Sequence, residues 1–349
     1  MASLIDTSDL TLNEQEALTV SEAVFEQVYT KPALESAHQV MTGIQMKTQI
    51  PFYGLLGLVG KVTNGCTPNT STEKVNLTEK YWDPALIDFR LPHCAADIAQ
   101  LFKMWKRSRI AAKTWEDVDN AEMAFITDRG VDATMESILR ISSFGDKLAD
   151  NVTDGGSITN GVDPAFFTMI NGLWQQILAA SVVRYTISEN AAATKVAQAA
   201  LASDVALNTF RYLYNNIDSR AHVIPGMAFQ VTRTLWNNWN DFLEDKSLVF
   251  TLQRAEEGSA KGFYRGYPII VRDDWDRNIS AYLDNGTTYL YPHRAILTPI
   301  ANIPIGTSDD GSMKTLESFY DKVTKSWYFD AAFYIDAKLL EEYLIAVAY

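Results

Sequence analysis

The feature of this sequence that most constrains its fold is a glycine and a proline placed directly before an apolar run, in Gly266-Tyr267-Pro268-Ile269-Ile270-Val271. Pro268 has no amide hydrogen, so it begins a strand or lies at a sheet edge. The run after it is apolar enough for a central strand. We expect Gly266 either to adopt a positive φ, which a β-carbon disfavours, or to lie where another chain segment passes closely. The segment is therefore predicted to determine the fold and not to form an active site.

Helical spacing recurs in the second half of the chain. Residues 164–217 predict two helices, and Thr194 is a candidate N-cap of the second. That helix is predicted to have one apolar face, formed by Val196, Ala200, Leu207, Phe210, Tyr214 and Ile217. Residues 228–243 also have helical spacing.

Short apolar segments after residue 247 predict strands. These segments are 248–252, 269–271, 279–283, 288–291 and 295–297. Asp284-Asn285-Gly286-Thr287 separates two of them, and Asn-Gly is typical of a type I′ hairpin turn. Residues 327–349 are apolar up to Tyr349, so we expect them to be buried as strand.

The first half predicts an arm, a loop and a helix. Residues 1–45 are polar and helix-prone, and Pro32 is expected to end their helical run; such an arm docks either on a neighbour or on its own domain. Strand-like pieces broken at Asp83-Pro84, with a turn-forming stretch at 64–72, predict a long β-hairpin with a mobile tip. A helix is expected within 128–150, and residues 151–163 are expected to form a loop. The apolar stripe of the helix expected within 128–150 consists of Val131, Met135, Ile138, Ile141 and Leu148.

Charge and cysteine content exclude several classes of protein. The formal net charge of -13 disfavours a DNA-reading domain, since nonspecific DNA binding needs clustered Lys and Arg. The nearest candidate is a cationic stripe at 103–109. Two cysteines do not make a disulfide framework, and neither a signal peptide nor a membrane span is predicted. We therefore expect a soluble protein made in the cytoplasm, with no membrane association.

Motifs for catalysis and ligand binding were tested and assigned no residue. The glycines of 54–61 resemble a phosphate-binding loop, but their spacing is wrong by one residue and Val62 replaces the required Ser or Thr. The carboxylates of 273–276 suggest either a calcium site or an exposed turn after a strand. Glu256-Glu257 and Asp309-Asp310 indicate solvated loops. The histidines are scattered and are expected to be structural: His38, His93, His222 and His293. No catalytic, cofactor-binding or metal-binding residue is predicted.

Several segments together resemble one protein family. They are Gly262–Asp276, Tyr291–Thr298, Asn302–Thr307, Asp163–Phe167 and Tyr328–Ala337. Their order is similar to that in the major capsid proteins of tailed bacteriophages, and most of all to those of phages that infect Bacteroidetes, including the crAss-like group. The resemblance covers residues 150–349, and the first half by its layout.

This resemblance implies an α+β, HK97-like major capsid fold. The implied parts are an N-terminal arm at 1–45, an extended loop with flanking strands at 46–95, a peripheral domain with a spine helix at 96–165, an axial domain at 166–310, and a return to the peripheral domain at 311–349. The function implied is self-assembly, through pentamers and hexamers, into the icosahedral head that encloses the genome.

The resemblance also implies partners and a location. The partners are other copies of the chain, a separate scaffolding protein, a portal, decoration proteins and packaged double-stranded DNA held by nonspecific contact. The protein would be made in the host cytoplasm and reside in the virion. Two alternatives stay open: an encapsulin-type shell that encloses proteins, and a glycan-active enzyme suggested by the aromatic residues and the pairs of acids.

Overall fold

The computed structural model describes residues 32–45, 47–53, 77–94, 131–149, 158, 163–246, 253–254, 260–307, 317–321 and 326–349. These residues form a five-stranded, a seven-stranded and a two-stranded sheet together with helices. The α+β class is confirmed.

The described helices and strands have the following bounds. The helices are α1 Pro32–Glu35, α2 131–144, α3 Leu173–Ala179, α4 Lys195–Ala199, α5 Val205–Asn216, α6 Arg233–Asp245 and α7 Asp273–Tyr282. The strands are β1 Val40–Met41, β2 Gln49–Tyr53, β3 Leu77–Tyr81, β4 Ala85–Cys94, β5 Val183–Tyr185, β6 Met227–Val231, β7 Gln253–Arg254, β8 Ala260–Tyr264, β9 Tyr267–Val271, β10 Ala295–Pro299, β11 Ile305–Thr307, β12 Glu317–Asp321, β13 Ser326–Ala337 and β14 Ala346–Ala348.

The seven-stranded sheet has the order β5-β14-β10-β6-β9-β8-β7 and is covered on both faces. Successive strand residues point to opposite faces. Phe229 and Leu297 therefore join the core formed with α5 and α6, whereas Ile296 and Val347 join the core formed with α3 and α7. The residues of β6, β10 and β14 are all buried, because both faces of these strands are covered.

The larger sheet corrects two helix–strand predictions. Residues 228–231 were predicted as helix but lie in β6, where hydrogen bonding to β10 and β9 and burial on both faces outweigh the helical spacing. Residues 279–283 were predicted as strand, but α7 extends to Tyr282. Trp275, Ile279 and Leu283, spaced four residues apart, form the buried stripe of that helix.

The second helix predicted in 164–217 is interrupted. The side chain of Thr194 accepts a hydrogen bond from the Ala197 amide at 3.2 Å, which confirms Thr194 as an N-cap. The capped helix is the short α4, and a separate helix, α5, follows. Val196 does not belong to the apolar face, since it is 82% exposed.

Positive φ values place a tight turn where β8 meets β9. Arg265 has φ 48° and Gly266 has φ 88°, which is the type I′ pattern for a two-residue hairpin. The prediction of a positive φ at Gly266 is confirmed, and the alternative of a close passage is wrong, because no heavy atom lies within 4 Å of the position of an added β-carbon. Pro268 is the second residue of β9, near the start of the strand as expected.

The turn predicted at 284–287 exists but is not type I′. Gly286 has φ 90°, whereas Asn285 is not among the described residues with positive φ. Within 288–291, predicted as strand, the structure has a single isolated bridge between Asp284 and Tyr289. The turn therefore joins α7 to an irregular segment.

The five-stranded sheet is built around β13. On one edge β13 pairs along its length with β4, and on the other it pairs with β11 and β12. Helix α2 packs on this sheet through Ile138 and Ile141, against Ile305 and Ile335. The helix predicted within 128–150 is confirmed for 131–144, but Leu148 lies beyond its end and is 47% exposed.

The structure contains the predicted strand break at Asp83-Pro84 and the predicted buried segment at the end of 327–349. The predicted break at Asp83-Pro84 separates β3 from β4, and β2 pairs antiparallel with β3, so the base of the predicted hairpin is present. The predicted burial of residues at the end of 327–349 is confirmed, because residues 344–349 are buried and β14 lies between β5 and β10.

Residues 32–45 pack on the chain's own core. Pro32 was expected to end a helix, but it begins α1, where its missing amide hydrogen costs no hydrogen bond. Leu34 and Ile44 are buried, and β1 pairs in parallel with β11. Within these residues, docking on the same subunit is the observed alternative.

Other predictions lie outside the described residues. They concern 1–31, 54–61, 64–72, 103–109, 248–252, Glu256-Glu257, Asp309-Asp310 and most of 151–163. Within the described ranges, no helix combines the length and apolar character needed to cross a membrane.

The type I′ turn generates a stability prediction. Replacing Gly266 with Val forces a β-branched side chain into a positive φ, and we expect a loss of about 1–3 kcal/mol in unfolding free energy. Urea denaturation of the purified variant measures this loss. Arg265→Asn is the matched control and should differ little from the parent, because Asn tolerates positive φ. An unchanged urea midpoint for Gly266→Val would contradict the assignment.

Candidate functional site

The structure places the four histidines in separate environments. His38 and His293 are buried, His222 lies at a partly buried aromatic cluster, and His93 is a residue of β4. Among the described residues, no group of three or more His, Cys, Asp or Glu side chains is arranged to hold a metal ion. The four histidines therefore do not form one site.

The most extensive polar cluster surrounds Arg272, the residue between β9 and α7. A guanidinium group has five N–H donors. Nε and Nη2 donate to the two carboxylate oxygens of Asp274, both at 2.8 Å. Nη1 donates to Gln230 Oε1 at 2.6 Å and to His38 Nε2 at 3.0 Å, and Nη2 also donates to Ser143 Oγ at 3.1 Å. All five donors are satisfied, although the side chain is only 3% exposed.

The Arg272 cluster joins segments that are far apart in the sequence. Ser143 lies in the last turn of α2, Gln230 lies in β6, and His38 lies between α1 and β1. Ser143 Oγ also accepts a hydrogen bond from Trp275 Nε1 at 3.1 Å, and Gln230 Nε2 donates to the carbonyl of residue 37 at 2.6 Å. The cluster therefore connects the helix of the smaller sheet to the centre of the larger one.

His38 is neutral in this cluster. Its Nε2 accepts from Arg272, so the proton lies on Nδ1, which donates to the Ile303 carbonyl at 3.0 Å. Burial, followed by the positive charge of Arg272, lowers the pKa of His38 to about 3. His38 therefore stays neutral near pH 7 and acts as a structural hydrogen-bonding group.

The acids of 273–276 occupy the first turn of α7, not an exposed turn. Their negative charge is favourable there because a helix N-terminus is partly positive. Asp273 pairs with the Arg233 guanidinium at 2.5 Å, and Asp276 accepts the Arg233 amide at 2.7 Å. The Asp274 carboxylate binds the Arg272 guanidinium. The three carboxylates therefore bind groups of Arg233 and Arg272 within the chain and do not converge on one point.

A second buried polar network holds the segment before β10. Asn190 and His293 exchange two hydrogen bonds, in which Asn190 Nδ2 donates to the His293 carbonyl at 2.8 Å and the His293 amide donates to Asn190 Oδ1 at 2.9 Å. His293 Nε2 donates to the carbonyl of Gln198 at 2.7 Å, and Thr234 Oγ1 bonds to Nδ1 at 2.8 Å. Burial lowers the pKa of His293, which favours the neutral ring. This network fixes the loops around α4, and the hydroxyl beside the His293 ring, Thr234 Oγ1, is itself bonded to Thr232 Oγ1 at 3.1 Å.

An exposed surface of different character lies where β6 and β9 begin. We call it the aromatic rim, and it consists of Tyr214, Arg220, His222, Val223, Arg265, Tyr267 and Tyr343. The His222 and Tyr267 rings stack with centroids 5.8 Å apart, and the Arg220 guanidinium lies 4.1 Å from the centre of the Tyr343 ring. Val223 is 85% exposed and Tyr343 is 40% exposed. Exposed aromatic and arginine side chains around an apolar residue are typical of protein–protein interfaces.

Sequence reasoning missed both the Arg272 cluster and the rim. A local signal existed for the first, since an arginine stood between a strand of apolar residues and an acidic cluster. Its partners His38, Ser143 and Gln230 had no such signal, because they come from distant segments. The rim residues had none either, since exposure depends on the packed fold.

Comparison with known proteins adds a fold likeness. The sequence matches no protein-family model and none of the curated proteins. The structure is similar to a chain of the satellite phage P4 procapsid that includes the size determination (Sid) protein, with a TM-score of 0.52 and 12% identity over 95% of this chain and 97% of that chain.

Two further structures resemble the chain less closely. Gordonia phage Cozz gives a TM-score of 0.48 and 10% identity over 90% of this chain and 84% of that chain. The holo-SrpI encapsulin complex of Synechococcus elongatus PCC 7942 gives a TM-score of 0.43 and 10% identity over 91% of this chain and 87% of that chain. The likeness to the P4 procapsid chain shows that this chain has the α+β, HK97-like capsid fold.

The Arg272 cluster predicts a large loss of stability on truncation. Arg272→Met leaves the Asp274 carboxylate buried without its partner, and we expect a loss of about 3–5 kcal/mol in unfolding free energy. The matched control is Arg233→Met, which breaks an ion pair whose side chains are 43% and 56% exposed. That change should cost about 1 kcal/mol or less. Chemical denaturation of both variants tests the difference, and equal losses would refute the cluster's role.

Asp276 predicts a specific pH dependence. Burial raises its pKa from 3.8 to about 6, so the folded chain binds this proton more tightly than the unfolded chain. Its contribution to stability is therefore lost as the pH rises from about 4 through about 6. Asp276→Asn keeps an acceptor for the Arg233 amide and removes the charge, and it should be more stable than the parent above pH 6 by up to about 3 kcal/mol. Denaturation at several pH values gives the difference, which must shrink toward pH 4; a constant difference would contradict the prediction.

Proposed function

We propose that this chain is a subunit of an icosahedral protein shell, and specifically the major capsid protein of a tailed double-stranded DNA phage. The observation that carries the proposal is the fold likeness to the P4 procapsid chain, which extends over 95% of this chain and 97% of that one. A likeness over nearly the full length of both chains supports a shared use of the whole subunit, not of one borrowed domain.

The residue types of the aromatic rim support a role for this surface in assembly. A standard protein interface buries about 1,600 Å² in total, and aromatic and arginine side chains commonly supply most of its binding energy. Arg220 and Arg265 lie over tyrosine rings, at 4.1 Å from Tyr343 and 4.7 Å from Tyr214. These contacts hold the long side chains in place before binding, which reduces the entropy lost when a neighbour docks. We assign the rim to contact with other copies of the chain.

The internal pairing of charged groups supports a structural role and not an enzymatic one. Both buried histidines are held neutral, Arg272 is satisfied by groups of its own chain, and the acids of α7 bind groups of Arg233 and Arg272. A general base needs a reacting proton within hydrogen-bond reach, and these groups are already committed elsewhere. The glycan-active alternative has no observation that favours it.

The finer parts of the proposal follow the resemblance in sequence. We place the protein with capsid proteins of Bacteroidetes-infecting, crAss-like phages, assembled with a separate scaffolding protein, a portal and decoration proteins and residing in the virion. Because the net charge of -13 disfavours strong attraction to phosphates, we propose that packaged DNA meets the protein only through local, nonspecific contacts. An encapsulin-type shell is the second candidate, distinguished by protein in place of DNA inside the particle.

The extended loop is the proposed means of embracing a neighbour. Its base is the β2–β3 pair, and 23 residues, 54–76, separate the two strands. A segment of this length between paired strands usually has a function of its own. We propose that residues 60–76 of the loop expected at 60–92 lie on an adjacent subunit. Residues 77–92 do not, because β3 pairs with β2 and β4 pairs with β13 of the same chain.

The proposal predicts that the purified chain forms pentamers, hexamers or shells when expressed alone or with its scaffolding protein. Light scattering gives the mass, and electron microscopy separates shells filled with DNA from shells filled with protein. Val223→Asp places a charge in the rim and should block or weaken assembly without unfolding the subunit. Val196→Asp is the matched control, since Val196 is 82% exposed and lies outside the rim.

Three outcomes would count against these assignments. A strictly monomeric mass at every protein concentration, with scaffold present, would refute the shell. Normal assembly of Val223→Asp would remove the rim from the interface. A deletion of residues 64–72 should leave a cooperative melt but block shell closure, and loss of the melt would place the loop in the core instead.

A further inference from the structure

The turn after α7 contains an asparagine followed by glycine in an unusual hydrogen-bonding arrangement. Asn285 and Gly286 are both exposed, and Gly286 has φ 90° with open space around its α-carbon. The flanking residues Asp284 and Thr288 both contact the pair directly. Solvent, the Asp284 carboxylate and the Thr288 hydroxyl therefore all reach the Asn285-Gly286 pair.

The backbone nitrogen of Gly286 faces a carboxylate. Its N–H donates to Asp284 Oδ1 at 2.8 Å, within the range over which a general base accepts a proton. Asp284 Oδ2 accepts from Lys195 Nζ at 2.6 Å, and this bond lowers the pKa of the Asp284 carboxyl group. Asp284 is thus charged at neutral pH, and its 2.8 Å distance from the Gly286 nitrogen lets it accept the amide proton, although the lowered pKa makes it a weaker base than an ordinary carboxylate.

The side-chain carbonyl of Asn285 lies in a pair of backbone donors. Its Oδ1 accepts from the Thr287 amide at 3.0 Å and from the Thr288 amide at 2.7 Å. Two fixed N–H groups at such distances stabilise the negative charge that develops on a carbonyl oxygen under nucleophilic attack. The arrangement favours addition at Asn285 Cγ.

The departing amine also has a partner. Asn285 Nδ2 donates to Thr288 Oγ1 at 2.9 Å. Once Cγ becomes tetrahedral, Nδ2 gains a lone pair, and the same hydroxyl can turn to donate a proton to it. The segment is held against α4 because the Lys195 amide donates to the Thr287 carbonyl at 3.1 Å.

We propose that Asp284, Asn285, Gly286 and Thr288 form a self-modifying site at which Asn285 is converted to a succinimide and then to aspartate or isoaspartate. The Gly286 nitrogen forms a bond to Asn285 Cγ as its proton passes to Asp284. The Cγ–Nδ2 bond then breaks, and ammonia leaves with the proton that Thr288 Oγ1 donates. The proton held by Asp284 returns to Thr288 Oγ1 through solvent, which restores both the carboxylate and the hydroxyl. Water opens the ring at either carbonyl, so no oxidant, reductant or cofactor is needed.

The chain contains an internal comparison at Asn171-Gly172. The Gly172 amide is bonded to the Gly145 carbonyl at 2.8 Å, and a β-carbon at Gly172 would collide with backbone atoms of Gly145 and Ile141. Asn171 Oδ1 accepts from the Lys147 amide at 3.0 Å. Here the nucleophile is bonded to a carbonyl, which cannot accept its proton as a carboxylate can, so the fold should protect this asparagine.

The test is a time course of peptide mapping on the folded full-length chain at neutral pH and 37 °C. Mass spectrometry detects the replacement of the side-chain amide by a carboxyl group, and an isoaspartate-specific methyltransferase detects the rearranged backbone. A synthetic peptide covering residues 280–292 gives the rate without the fold. We expect Asn285 to convert about tenfold faster in the folded chain than in the peptide, and Asn171 to convert more slowly folded than in its own peptide.

Variants separate the contributions of individual groups. Asp284→Ala should lower the folded rate by about tenfold or more, and Thr288→Val should lower it as well, because it removes the hydroxyl but keeps the backbone donor. Lys195→Met is the matched control for the ion pair and should have a smaller effect, since the carboxylate remains. A cooperative melt confirms that each variant is folded. If Asp284→Ala does not fold, the rate measured in Thr288→Val tests the proposal instead. A folded rate at Asn285 equal to or below that of the peptide, or unchanged in folded Thr288→Val, would overturn the proposal.

Discussion

One buried guanidinium group, that of Arg272, links the helix packed on the five-stranded sheet to the centre of the seven-stranded sheet. A buried arginine is tolerated only when its donors are all satisfied, and here the five donors reach a carboxylate, an amide, an imidazole and a hydroxyl. Those acceptors lie on four separate segments of the chain. The cost of removing the charge from water is thus met only when all four segments are in place, so the cluster couples the correct packing of each segment to that of the others.

The rest of the larger sheet can be understood from this arrangement. Gln230 lies in β6, the strand that pairs with both β9 and β10, and its side chain points toward Arg272, not into the core formed with α5 and α6. Alternation along β6 therefore sets one polar residue on the face where the two sheets meet. A strand covered on both faces loses the simple alternation of polar and apolar residues. This is why residues 228–231 had the appearance of a helix.

The sequence predicted those parts of the fold that depend on neighbours along the chain. Gly266, the N-cap at Thr194, helix 131–144 and the buried strand near Tyr349 all follow from local sterics, local hydrogen bonds or a long apolar pattern. It did not predict residues whose state depends on distant partners. Residues 279–283 were misassigned because Ile279, Ala281 and Leu283 alternate as in a strand, although Ile279 and Leu283 also have the spacing of a helix. The His38–Arg272 contact joins residues 234 positions apart, and no local pattern contains it.

The position of β14 has a consequence for the timing of folding during synthesis. Residues 346–348 lie between β5 and β10, and β1, made from residues 40–41, pairs with β11, near residues 305–307. Neither sheet can therefore close while the ribosome is still adding the middle of the chain, since contacts this distant in sequence form late. A nascent chain that stalls before residue 346 has a gap in its larger sheet and lacks part of both cores that the strand separates. Such a fragment exposes apolar surface from both cores, and exposed apolar surface of this kind favours aggregation.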